Sequence, residues 1–485
     1  MSVSRSHIAR VYASLWLLLT LSSCASYNNQ AAEYYHNLKE GNYQKAADAL
    51  DNTRLLKKNR NHLLYLLEKG KVSHLLQDWE KSNQYFNEAD HLMEDARTTA
   101  KDIAIGTLIN PMMQQYKGED FEKYLVHYYK ALNYLQLGLT EEAMVEARRI
   151  TLRSHAQEDK VGNKNKYNED AFSLMLQGLI YEQGNDINNA FIAYRNAADV
   201  YIENKGSYYG VQMPEQLKKD LLRTAYANGF MDELGRYEKI LETRFENQPQ
   251  PEGGELVLFW ENGSAPVKQQ QDLFFTLFKD AGGNFMFADA AGLYNVPFDF
   301  SSGYNRNDLK LENLRSFRVA LPKYEAQPLR YTGASVQLDD QSFKLEAAEN
   351  VNNLAFATLK ERMLKELSTT LTRLAIKKLA EAAVRPSEEK KDDKNKSEEQ
   401  KKKEKKERNQ REALAMGLQI LNFATEKADT RNWQSLPHTI YYTRIPLRKG
   451  SNTINLQLSG HRPSSLKLQV EGNSRLQFRS ISTIN

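Results

Sequence analysis

Apolar and polar positions change period along this chain. From about residue 30 to 247 apolar residues recur every three or four positions, the pattern of amphipathic helices. Small residues stand at fixed offsets within that pattern: Gly70, Ala131 and Gly178 are followed twelve positions later by Ser82, Ala143 and Ala190. The clearest copy, LMLQGLIYEQGNDINNAFIAYRNAADVY, has Leu174, Gly178, Tyr181, Ala190, Tyr194 and Ala197 at the spacing of the tetratricopeptide repeat. A second has Leu66, Gly70, Trp79, Ser82, Phe86 and Ala89, and a third has Ala131, Tyr134, Gly138, Ala143 and Ala147. Small residues let two antiparallel helices approach, and the aromatic ones fill the groove beside the next helix. The intervals between copies exceed the repeat length of about 34 residues, so residues 24–247 are expected to form an irregular, all-α helical solenoid of tetratricopeptide type. Ala156 to Asp170 reads as an exposed loop within it.

Gln248 to Gly253 has linker composition, and after it the period becomes two. Strands are expected at Gly254 to Gly263, Ser316 to Leu321, Ala334 to Leu338 and Ser342 to Glu346, the last two joined as a hairpin at Asp339-Asp340-Gln341. Four more alternating runs close the chain: HTIYYTRIPL, NTINLQLSG, SLKLQVEG and RLQFRSI. They read as an antiparallel sheet in a small sandwich. Between the strand groups, Leu354, Met363, Leu367, Leu371, Leu374 and Leu379 mark one side of a long amphipathic helix. A second helix, about Arg411 to Asp429, is expected to turn Leu414, Leu418, Leu421 and Ala424 inward. The insert 386–411 is almost wholly Lys, Glu, Asp, Gln and Asn and cannot bury a core; it is either disordered or a solvated extension of a helix. The fold class is α+β and multidomain: a helical solenoid followed by a mainly antiparallel β domain, 254–485, with a long helical hairpin.

Charge and cysteine content turn attention to the first thirty residues. Arg5 and Arg10, with no acidic residue near them, precede the apolar run Val11 to Leu21, which is too short for a permanent bilayer span. Leu21-Ser22-Ser23 then lead into Cys24, the single cysteine among 485 residues. Residues 1–23 read as a signal peptide, and Leu-Ser-Ser-Cys resembles the lipobox of bacterial lipoproteins. That resemblance implies cleavage before Cys24, diacylglycerol on its sulfur and acylation of the new amino terminus, giving stable membrane attachment. No acidic residue follows at Ala25-Ser26, so the expected address is the outer membrane, facing the periplasm. The formal charge of +4 includes Arg5 and Arg10, and the near-balanced remainder argues against a nucleic-acid partner.

The order of GELVLFWENGSAPVK, VALPKYEAQP, the long Ala- and Leu-rich helix and EKADTRNWQSLPHTIYYTRIPLRKGSN resembles a poorly characterised family of bacterial tetratricopeptide-repeat envelope lipoproteins. Ala428 to Trp433, through Leu436-Pro437, is the most specific piece. What the resemblance implies is an envelope protein acting beside lipoproteins that regulate peptidoglycan synthases. Read physically, Asp429 and Arg431 can close a helix end by a bidentate pair with the Trp433 indole over the guanidinium, and Glu261-Asn262-Gly263 reads as a hairpin turn ahead of an acid-base site. Tyrosine doublets, Tyr34-Tyr35, Tyr128-Tyr129 and Tyr208-Tyr209, put adjacent side chains about 100° apart on a helix, so one of each is expected nearer the surface and available for contact.

Nine histidines lie without metal spacing, and there is no phosphate-binding glycine loop or nucleophile elbow. No catalytic residue, cofactor, metal or small-molecule substrate is expected. The expected function is an interaction scaffold or adaptor in envelope assembly, membrane-held through Cys24 and gripping a protein partner with its repeats. The alternative is a peptidoglycan- or glycan-binding module reading polymer through Trp260 or Trp433, with a cell-wall hydrolase behind it.

Overall fold

The computed structural model describes residues 27–95, 111–161, 170–279, 281–282, 285–289, 294–297, 317–384 and 397–484. Cys24, the segment 1–23 and residues 386–396 of the insert lie outside the described residues. The helical half comprises α1 (Tyr27–Gln30), α2 (Ala32–Lys39), α3 (Tyr43–Asn52), α4 (His62–Leu75), α5 (Trp79–Asp95), α6 (Asp120–Gln136), α7 (Thr140–Val161), α8 (Ala171–Gln183), α9 (Ile187–Glu203), α10 (Glu215–Ala227) and α11 (Met231–Ile240). A two-strand turn, β1 (Ser207–Tyr208) with β2 (Val211–Gln212), joins α9 to α10. Helices pack in successive pairs, α4 on α5, α6 on α7 and α8 on α9, as the spacing predicts.

The small positions set how close these pairs come. A Cβ on Gly70 would lie 2.5 Å from the Phe86 ring, and one on Gly178 would lie 2.5 Å from the Tyr194 ring. Ser82 donates to the Gly70 carbonyl at 2.8 Å, so the small residue of the second helix holds the first by its backbone.

The second half begins with β3 (Gly254–Asn262), β4 (Val267–Lys279), β5 (Phe285–Asp289), β6 (Asn295–Pro297), β7 (Phe317–Glu325), β8 (Tyr331–Leu338), β9 (Gln341–Lys344) and β10 (Glu346–Asn350). The helices α12 (Val351–Val384) and α13 (Glu398–Thr425) follow, then β11 (Thr439–Pro446), β12 (Gly450–Gly460), β13 (Ser464–Gly472) and β14 (Arg475–Thr483). Three four-stranded sheets result, in the orders β10-β11-β3-β14, β13-β12-β8-β9 and β6-β5-β4-β7. The hairpin at Asp339-Asp340 is present, pairing Leu338 with Gln341. The four closing strands are not one antiparallel sheet. β11 and β14 flank β3, with β14 parallel to it, while β12 and β13 extend the second sheet.

The reason lies in β3. Its run Leu256 to Trp260 is apolar at every position and fully buried, which requires cover on both faces. Leu256, Leu258 and Trp260 pack on Ile454, Leu456 and Val336 of the second sheet. Val257 and Phe259, with Ile440, Tyr442 and Phe478, join the core of the helical half. The first sheet is thus the middle layer between helices and the second sheet. The third sheet is covered on one face by α12, where Leu367, Leu371 and Leu374 meet Phe275, Val319 and Leu321.

Four expectations are corrected. Of the stretch read as an exposed loop, Ala156 to Val161 belong to α7, 162–169 lie outside the described residues, and Asp170 is buried. Glu261 and Asn262 are no hairpin turn; they end β3, buried, and the chain bends only at Gly263, where φ is 70°. Leu414 is 57% exposed, and Ala415 takes the inward position. Helix α13 starts at Glu398, inside the charged insert, with an exposed first half. The strands β4 to β6 were not legible, because Gln269 to Asp272 on β4 are polar and solvent-facing on consecutive positions and mask the period.

In an open helix, Gly→Ala stabilises by about 0.5–1 kcal/mol. Here Gly178→Ala drives a methyl into the Tyr194 ring, so unfolding in urea is expected to show a loss of roughly 1–3 kcal/mol. A gain in stability would show that the helix pair is not close-packed at that point.

Candidate functional site: the enclosed inner face of the helical layer

The first helix of each central pair is apolar around most of its circumference, and such a helix must be covered on all sides. From Leu63 to His74 nearly every α4 residue is buried, as are most of α6 and α8. Their partner helices cover one side. The other side meets the chain's own β3, β11 and β14, and the segment Glu426 to His438 that links α13 to β11.

Charged residues on that inner side are buried, so they take polar partners from both halves. The Glu68 carboxylate on α4 accepts from the Tyr34 hydroxyl at 2.7 Å and the Tyr35 hydroxyl at 2.8 Å. It also accepts from the Gln434 backbone N–H at 3.2 Å and from the Ser435 hydroxyl. Burial outweighs these donors and raises its pKa. Glu122 on α6 reaches back to the Glu119 N–H at 2.9 Å in a capping-box arrangement, and takes the Trp433 N–H at 2.8 Å and the Tyr116 hydroxyl at 2.6 Å. Burial, then the neighbouring Glu119 charge, push Glu122 up to about 7. Burial also acts on Glu119, but Lys268 and Arg362, each 2.6 Å away, outweigh it and hold that carboxyl down at about 2.

Arg431 lies at the centre of the linking segment. Its Nε and Nη2 donate to both Asp429 oxygens, at 2.8 and 2.6 Å. Its Nη1 enters the helical half and donates to the Arg60 carbonyl, Asn61 Oδ1 and the Gln114 carbonyl at 2.9–3.1 Å. The expected bidentate pair is present, but its partner ring is Tyr116, whose centroid lies 5.4 Å from the guanidinium carbon. Trp433 instead sits fully buried between Phe86 and Tyr129, 5.7 and 5.8 Å between ring centroids. Two further ionic contacts join the halves. Lys71 Nζ lies 2.5 Å from Glu261 and 2.9 Å from the Tyr129 hydroxyl, all buried. Arg444 on β11 meets Glu182 at 2.6 Å and Asp220 at 3.0 Å, as well as Glu255, while Arg223 shares the first two. Burial lowers the Lys71 pKa despite Glu261, and lowers that of neighbouring His74 to about 4.

Two clusters invite a chemical reading. Asp90, His127 and Glu146 converge as metal ligands would. Lys130 Nζ, however, stands 3.0 Å from Asp90 and 2.9 Å from Glu146, so an ammonium already supplies the positive charge. Asp170 caps α8 by accepting the Ser173 N–H at 2.8 Å, and Glu349 on β10 faces it. Burial first, and Asp170 second, raise Glu349 well above the carboxylate range.

The residues proposed as contacts fall inside. Trp260 and Trp433 are 0% exposed, which leaves no indole platform for a polymer. Tyr128 and Tyr129 are both buried, against the expectation that one would be freer; Tyr34 and Tyr208 are buried and their neighbours Tyr35 and Tyr209 only partly so. Glu68, Lys71 and Glu122 were missed. Their signal was present: charges embedded in helices with no polar face cannot remain in water and need a buried partner.

No family model matches the chain, and no curated protein matches it. Among solved structures, MamA aligns at 14% identity with a TM-score of 0.26, over 43% of this chain and 91% of that one. The apo form of RapI aligns at 10% identity and 0.32, over 48% and 59%. BtubC from P. vanneervenii gives 14% and 0.30, over 44% and 80%. Likeness at this level carries no argument about this chain.

Two predictions follow from the buried charges. Arg431→Ala strips Asp429 and three acceptors of their donor; it is expected to cost about 3 kcal/mol or more, and to raise amide exchange in α4 and β11 together. Exchange rising on one side only would refute a shared interface. For Glu122 the unfolded chain ionises near pH 4.5 while the folded one holds its proton to about 7. Stability from this group is therefore full below the lower value and lost as pH climbs between the two. Glu122→Gln should gain on the wild type by roughly 1–3 kcal/mol between pH 5 and pH 8; a pH-independent difference in urea midpoints would contradict this.

Proposed function

We propose that this chain is a bacterial envelope lipoprotein, held in the outer membrane by acylated Cys24 and facing the periplasm, where its folded body serves as a scaffold for protein partners in envelope assembly near peptidoglycan synthesis. The observation that supports the reading most is how soon after Cys24 the chain joins the core. Tyr27, three positions after Cys24, is already fully buried, and Asn28 is bonded to Lys268 and Gln434. An acyl anchor on Cys24 would hold the body close to the bilayer.

The enclosed inner face bears on where a partner binds. Helical repeats commonly use their inner surface for recognition, but here the chain's own β3 and the segment around Trp433 fill it. The scaffold reading therefore turns to the outward helices, where Val145 on α7 and Met231 and Ile240 on α11 are 44%, 52% and 44% exposed. The glycan-binding alternative loses its two indoles to the core. The proposal assigns no catalysis; the hydrolase alternative would be revived by release of soluble fragments from purified sacculi.

Metabolic labelling with an alkyne-tagged fatty acid, combined with membrane fractionation, tests the anchor. The wild type is expected in the membrane fraction carrying label, and Cys24→Ser is expected to carry none. Unlabelled wild-type protein in the soluble fraction would end the lipoprotein reading. Photo-crosslinkers at Val145 and Met231 are expected to trap a discrete envelope protein; capture of sacculus alone would favour the glycan-binding alternative.

A further inference from the structure

The three four-stranded sheets have six edges, and five of them carry a feature that hinders another strand from joining. Strand β6 has three residues and β9 four. Strand β7 carries Pro322, which has no N–H to give, and β10 slips register between Ala347 and Glu349. On β14 the Phe478 carbonyl is already taken, by Gln136 Nε2 at 2.8 Å and Arg479 Nη1 at 3.2 Å. Strand β13 differs. It runs nine residues, Ser464–Gly472, with no proline and no register shift along its ladder with β12, and no strand pairs with its other side among the described residues. At one end the Glu471 carbonyl takes the Gln477 side-chain amide at 2.8 Å; the rest of the edge is open.

By the two-residue alternation, Leu466, Leu468 and Val470 share one side of β13, and Ser465, Lys467, Gln469 and Glu471 share the other. The first is the core side. Val470 is buried there with Leu456 and Val336, Leu468 is only partly buried, and Leu466 is 38% exposed. The apolar layer of the second sheet therefore runs out to this edge with incomplete cover. On the other side Lys467 and Glu471 are both exposed, and neither is held in an ion pair among the described residues.

We propose that β13 pairs antiparallel with β13 of a second copy about a two-fold axis at Gln469, so that the second sheet runs on through both molecules. The charges select both the occupant and the register. With the axis at Gln469, Lys467 lies opposite Glu471 of the second copy, and Glu471 opposite its Lys467. Two pairs of opposite charge then form on the solvent side, and Leu468 meets Val470 on the core side. An axis at Lys467 would set the two ammoniums against each other. Lys467 blunts this edge against other strands, yet it becomes a contact when the guest is the same strand. The pairing does not depend on the membrane anchor.

The test uses the whole chain carrying Cys24→Ser, so that neither an acyl chain nor that thiol joins two copies. Sedimentation is expected to show monomer and dimer in an equilibrium that moves to dimer with concentration. Lys467→Glu alone and Glu471→Lys alone each set like charges across the axis and are expected to weaken the dimer about tenfold or more. An equimolar mixture of the two restores it, because one copy then presents two carboxylates to two ammoniums on the other. Gln469→Cys is expected to form a disulfide between copies under mild oxidation, since position 469 faces itself at about 5 Å between Cβ atoms. Lys467→Cys, about 14 Å from its own counterpart, is expected not to. All three positions are exposed, so the variants keep the wild-type fold, which circular dichroism checks. A chain that is monomeric at every concentration, a dimer indifferent to both charge substitutions, or a mixture no better than its components overturns the proposal. So does crosslinking from 467 in place of 469, or capture at 469 of another protein's extended segment in place of a second copy.

Discussion

Desolvation of charge is the constraint on which this structure depends. Glu68, Lys71, Glu122 and Glu261 are removed from water between the two halves of one chain. An isolated ion so placed costs several kcal/mol, and each group reaches balance through donors of its own half together with donors or counter-charges across the contact. The helices could have been capped by apolar residues at these sites; instead the sequence carries charges that are tolerable in one arrangement. A shifted register of β3 against α4 would part Glu261 from Lys71. The ionic set therefore specifies how the halves meet more than it strengthens their meeting, while the aromatic packing of Phe86, Tyr129, Phe259 and Trp433 supplies the apolar burial.

That arrangement changes what a helical repeat can do. Its first helices are ordinarily half-open, and here they are the middle of a layered body, with helices outside, a mixed sheet within and a second sheet beyond. The segment Arg431 to Ser435 occupies the inner face as a bound peptide would, through backbone N–H groups of Trp433 and Gln434 given to Glu122 and Glu68. Large apolar side chains that stay exposed include Val145 and Met231 on the outward helices and Phe274 on the third sheet.

The helical half was legible because its determinants are local. Gly70 with Phe86 and Gly178 with Tyr194 lie sixteen positions apart and fix the pair geometry by contact alone. The hairpin at Asp339-Asp340 was legible for the same reason. What stayed hidden is set by distant residues. Periodicity in β14 gives a strand but not that its neighbour is β3, and in parallel. Glu261-Asn262-Gly263 has turn composition, yet Lys71, distant in sequence, neutralises the carboxylate and lets the strand continue. Arg431 gave its bidentate partner, two residues away, but not Tyr116 or Asn61. The polar stretch on β4 hid a strand whose Phe275 is buried against α12.

The long reach of Arg431 also bears on how the chain comes to be folded. Its bond to Asn61 closes a separation of 370 positions, and Trp433 N–H to Glu122 closes 311. Contacts so distant slow the search for the native state and prolong the life of partly formed species. The helical half emerges first during synthesis, with Glu68, Lys71 and Glu122 awaiting groups that are hundreds of residues behind. Until the linking segment arrives, that half keeps its inner-face charges in water and its apolar groove open, the kind of partly formed species that is prone to aggregate.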